Sequence, residues 1–231
     1  LIQTGRWRNR PYEIFERIDC GSLEDASFID PDDIDGLRTI IYELAKALRD
    51  FAEVGLRHRN INPKAILVRE IDPLDLVVTD FGSARLSDFD LDIVSPLKVT
   101  RYSAPETIVG AISPASDWWS LGMIVLEQVT GGDCFRDVNE QAFLIHVVTK
   151  GVELPEGLSS EIKSLLRGLL AKDPTERWQW DQVCRWLNDE LVEVPQPSIS
   201  NDADLGAALK LDEQEFFSPQ RFSLAAAEGA S

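Results

Sequence analysis

Residues 118–129 are apolar on nearly every side of a helix, from Trp118 to Val129, and the Gly131-Gly132 pair stops them. A helix without a polar face cannot lie on a surface, so the rest of the chain has to enclose it. Other elements must therefore bring apolar faces to it from several directions. Over 34–56 the residues Leu37, Ile40, Ile41, Leu44, Leu48 and Phe51 recur at helical spacing, which predicts a long amphipathic helix closed by Gly55. Further helices are expected over 140–148, 160–170 and 180–191, with the Asp173-Pro174 break between the last two. The tryptophans Trp118, Trp119, Trp178, Trp180 and Trp186 are expected at helix positions in the core.

Strand signals are short. Residues 1–18 read as a β-hairpin, with a polar turn at Arg8-Asn9-Arg10 and β-type residues around Tyr12 to Phe15. A second hairpin is expected from Ile66-Leu67-Val68 and Leu76-Val77-Val78 around Asp72-Pro73, followed by a polar loop over 83–98. Hairpins, one long helix and a helical bundle make an α+β fold dominated by helix. With 231 residues, 44% of them hydrophobic, the chain can bury one substantial core.

The charge balance narrows the function. With 23 Lys and Arg against 40 Asp and Glu, the net charge is −17, so phosphate backbones and anionic membranes repel the chain. No nucleic-acid partner and no membrane partner is expected. Cys20, Cys134 and Cys184 are odd in number and widely spaced, which argues against a disulfide framework and for a cytoplasmic location. A chain that opens on Leu1 rather than Met is expected to be a piece of something longer.

Five motifs then occur in a fixed order: His58-Arg59-Asn60 with Pro63 behind it, Asp80-Phe81-Gly82, Ala104-Pro105-Glu106, Asp117-Trp118-Trp119-Ser120-Leu121-Gly122, and Asp173-Pro174 with Arg177. In this order and spacing the chain resembles the large lobe of a serine/threonine protein kinase. The resemblance implies a kinase-like domain over 1–191: a remnant of the small-lobe sheet and hinge at 1–18, and the large lobe at 19–191. It leaves 192–201 as a linker and 202–231 as an acidic tail or the start of a further module. The match begins at what resembles the fourth small-lobe strand, and the chain contains no G-x-G-x-x-G and no V-A-I-K.

By the same resemblance, His58 and Phe81 pack into a regulatory hydrophobic stack and Asp117 bonds the backbone of the catalytic loop. Glu106 and Arg177 form a buried ion pair, and Arg59 captures a charge on the activation segment, where Ser83, Ser87, Ser95, Thr100 and the carboxylates of Asp88, Asp90 and Asp92 are candidates. Phe15, Glu16, Ile18 and Leu67 surround the adenine. Asp80 holds the magnesium that bridges the ATP phosphates, although Asp80 and Gly82 equally suit a tight turn after a strand.

The positions that carry the chemistry differ from the family. Asn60 stands where the general base is expected, and an amide has no basic lone pair near neutral pH. Asn62 stands where a lysine steadies the transferring phosphoryl group, and Ala65 where an asparagine holds a second metal. Val99 falls where a threonine links the base and the lysine. The expectation is a pseudokinase-type regulatory or scaffolding domain that engages a protein partner through the large lobe, the activation segment or the acidic tail. Binding of ATP and magnesium stays open at Asp80, and the alternative is an active serine/threonine kinase with a modified mechanism.

Overall fold

The computed structural model describes residues 2–25, 33–86, 99–111, 113–132, 134 and 138–195. Its first element is an antiparallel hairpin of Gln3–Trp7 (β1) and Arg10–Ile14 (β2), with Trp7 opposite Arg10. The connection is therefore two residues, one shorter than the sequence suggested. Arg8 and Asn9 both take positive φ, 48° and 64°, which matches the twist of a two-residue hairpin. Nearly all of this hairpin is exposed.

Helix α1, Ile34–Glu53, begins where the Asp33 side chain accepts the Gly36 N–H, and Gly55 follows its end with φ +70°. Its stripe of Leu37, Ile40, Ile41, Leu44, Ala45 and Leu48 is buried, as the spacing predicts. Four short strands follow: Leu56–Arg57 (β3), Ile66–Ile71 (β4), Leu74–Val78 (β5) and Arg85–Leu86 (β6). β4 and β5 form the second expected hairpin. β3 pairs with β6, which ties together the two ends of the segment carrying the His58 and Asp80 motifs.

The remaining helices are Pro105–Ile108 (α2), Ser116–Val129 (α3), Glu140–Lys150 (α4), Ser160–Leu169 (α5) and Trp180–Leu187 (α6). Every residue of α3 from Asp117 to Leu126 is buried. α1 and α5 both pack on it, and α6 packs on α1. Trp178 lies in the connection before α6 rather than in a helix, and its ring rests on Gly168 of α5. Helix α6 stops four residues before the expected end. Asn188 and Asp189 explain this: Asp189 turns left-handed at φ 59°, which these short polar residues tolerate, and the Glu190 N–H returns to the Arg185 carbonyl.

The expected linker at 192–201 is described only as far as Pro195. The segments 87–98 and 202–231 lie outside the described residues. Among the described residues no helix is long and apolar enough to cross a membrane.

Candidate functional site

Asp117, in the first turn of α3, organises the loop that leaves β3. One of its carboxylate oxygens accepts the His58 N–H and the other the Arg59 N–H, both at 2.8 Å. These bonds hold Arg59 at φ +66°, in the left-handed region that a bulky residue rarely enters. Burial pushes the Asp117 carboxyl up, and the two N–H donors pull against it. The buried His58 ring donates from Nε2 to the Thr79 carbonyl at 2.8 Å, directly before Asp80. It meets the Phe81 ring at a steep angle, with ring centres 4.8 Å apart, and Phe51 of α1 completes a cluster of three rings.

Beyond His58 the two asparagines form one hydrogen-bonded chain. The Lys64 N–H donates to Asn62 Oδ1 at 3.1 Å, Asn62 Nδ2 donates to the Asn60 carbonyl at 2.7 Å, and Asn60 Nδ2 donates to Asp80 Oδ2 at 3.0 Å. Asn62 thereby caps the short 3₁₀ turn Pro63–Ala65. Ala65 is buried at the end of that turn, and its carbonyl accepts both the N–H and the hydroxyl of Thr79. Asp80 itself is exposed and left-handed, at φ 63° and ψ 51°. The Thr100 hydroxyl serves its own segment by accepting the Tyr102 N–H.

Glu106 and Arg177 join across the domain at 2.7 and 3.0 Å, and Ser116 adds a hydroxyl to the same carboxylate at 2.8 Å. Burial works to raise the Glu106 carboxyl, but the hydrogen bonds and charge of Arg177 outweigh it and hold the group below its ordinary value. Tyr102 is anchored similarly, donating to Glu127 at 2.7 Å. Burial raises both of these groups. Nothing in the motifs announced this contact, yet a glutamate near the end of the largely apolar run of α3 was its signal.

The residues expected around adenine are open. Phe15 is 61% exposed, the Glu16 carboxylate pairs with Arg69 at 2.8 Å, and Ile18 and Leu67 are half-buried. Ile14 and Phe15 are both exposed, and among the described residues β1 and β2 pack chiefly on each other. A small cavity of about 20 Å³ lies among Arg57, Asn60, Thr100, Tyr102, Ser103 and Asp117. Of the charges expected to meet Arg59, those at Ser87, Asp88, Asp90, Asp92 and Ser95 fall outside the described residues.

The protein kinase domain family model matches residues 3–187. The chain belongs to the protein kinase domain family. Among curated relatives it is 32% identical over 176 residues to serine/threonine-protein kinase AtPK2/AtPK19 of Arabidopsis thaliana, covering 70% of this chain and 36% of that protein. It is 34% identical over 137 residues to ribosomal protein S6 kinase alpha-6 of Mus musculus, covering 58% of this chain and 18% of the relative. The chain thus spans about a third or less of these relatives.

A protein kinase domain uses ATP and magnesium in general. Among the described residues no three His, Cys, Asp or Glu side chains gather as a metal site. Asp80 has one oxygen engaged by Asn60, and its Oδ1 has no hydrogen-bond partner among the described residues. One carboxylate with phosphate oxygens and water suits a single magnesium. A second ion does not fit, since Ala65 offers only a buried methyl group where the family has a ligand.

Proposed function

We propose that this kinase domain is a catalytically impaired, pseudokinase-type regulatory or scaffolding module, cytoplasmic, whose work is binding a protein partner through the helical lobe or activation segment. The carrying observation is the Asn60 amide, which donates to Asp80 at 3.0 Å in the position of the general base. That geometry presents the nitrogen of an amide as a donor to Asp80, and its remaining oxygen is too weak a base near neutral pH to take a proton from a substrate hydroxyl. The missing positive charge at Asn62 and the buried methyl of Ala65 act in the same direction.

Asp80 is the residue that would hold a nucleotide-bound magnesium through its open oxygen. Bound there, the ion would neutralise phosphate charge; this chain's own residues would orient the nucleotide between Asp80 and the half-buried Leu67. The second reading, active serine/threonine phosphoryl transfer, is favoured by the names of the relatives, which are serine/threonine and ribosomal protein S6 kinases. Incubating the natural full-length protein with labelled ATP, magnesium and a generic protein substrate separates the two. No transfer above background is expected, and transfer that disappears in Asp80→Ala would overturn the proposal.

A further inference from the structure

We propose that Asn60 does at Asp80 what a divalent cation does at a pair of carboxylates, so that the junction between the catalytic loop and the Asp80 turn is set without metal. The inference rests on the reading of this site given above, and concerns its resting state. Asp80 holds a left-handed backbone, φ 63° and ψ 51°, a conformation that aspartate tolerates better than most side chains and that a partner on its carboxylate helps to select. The described neighbour of its carboxylate is the Asn60 amide at 3.0 Å. That amide is itself fixed through its backbone, by Asn62 on the carbonyl side and through Asp117, which grips the two preceding residues.

Three links therefore run from the Lys64 N–H to the Asp80 carboxylate, and each has a donor facing an acceptor. An aspartate at 60 in the same place would set two carboxylates about 3 Å apart, an arrangement that requires a proton or a cation between them. The amide removes the repulsion and adds a bond, because its nitrogen only donates and the carboxylate only accepts. The same exchange explains how the chain tolerates Ala65, since no second ion is needed to order the loop.

The test melts the full chain without nucleotide, in chelator and in millimolar magnesium at matched ionic strength. Magnesium is expected to leave the melting temperature of wild type unchanged, and likewise that of Asp80→Asn. Asn60→Asp is expected to melt lower in chelator and to recover about 2–4 °C with magnesium. A magnesium gain of that size in wild type, absent from Asp80→Asn, overturns the proposal. So does an Asn60→Asp protein that ignores magnesium. If Asn60→Asp does not fold, Asn60→Ala decides: the Phe81 and Gly82 amides are expected to exchange about tenfold faster, the equivalent of one charged hydrogen bond, and unchanged exchange overturns the proposal. Nucleotide never enters the measurement, so failure to bind ATP counts against nucleotide retention alone.

Discussion

Arg177 is 3% exposed and makes five hydrogen bonds, two to Glu106 and one each to the carbonyls of Ala115, Ala171 and Lys172. A guanidinium has five N–H donors, so none is left over at this depth. Its Cζ also lies 5.1 Å from the centre of the Trp119 ring. Removing the opposing charge leaves an uncompensated cation in the core, which typically costs about 3–5 kcal/mol. Glu106→Gln is expected to lose that much in urea unfolding, whereas Arg69→Gln, whose pairs with Glu16 and Asp75 are exposed, is expected to lose less than about 1 kcal/mol. The pair also dictates a pH response. Because the folded-state value of Glu106 lies below the ordinary 4.5, its contribution is complete above that pH and is lost as pH falls through the lowered value. Wild type should therefore lose stability below pH 4.5 more steeply than Glu106→Gln; parallel acid-unfolding curves would refute the assignment.

Between elements, Gly168 shows how α5 accepts its neighbour. A Cβ there would come within 2.1 Å of the Trp178 ring, and the Trp178 N–H bonds the Gly168 carbonyl at 2.9 Å. Gly168→Ala must push the indole off the helix, so a loss of about 1–3 kcal/mol and a changed tryptophan fluorescence spectrum are expected. The tryptophan was readable as a core residue, but the glycine beneath it was one more residue in an amphipathic stripe. The same limit applies elsewhere. Helix α1 could be read because its burial repeats with the helical period, and α3 because its apolar run is too long for a strand, whereas β3 and β6 have two residues each and no period at all. His58 and Phe81 came from motifs, while Phe51, which completes the ring cluster, is an ordinary apolar position of α1. The identities of Asn60 and Asn62 were plain in the sequence. Their hydrogen-bonded chain to Asp80 was not, because it depends on the left-handed turns at Arg59 and Asp80 that bring residues twenty apart together.

Across the described part of the chain, stability should be graded rather than uniform. Helix α3 is sheathed by α1 and α5, and its Leu121, Met123, Ile124 and Val125 have no exposed surface. Opening those amides requires the surrounding helices to part, which is global unfolding. The β1–β2 hairpin is the opposite case: it pairs chiefly with itself, and Ile2, Trp7 and Phe15 are each more than 60% exposed. A two-stranded hairpin without a buried face is marginal in water. Its amides over 3–14 are therefore expected to exchange at least ~10³-fold faster than those of α3, a gap of about 4 kcal/mol in opening free energy. Peptide-level hydrogen–deuterium exchange on the full chain measures both at once. Should the hairpin exchange as slowly as α3, its apolar residues must be covered in solution, and dilution would then tell whether the cover is a second copy, which dissociates, or a segment of the same chain, which does not.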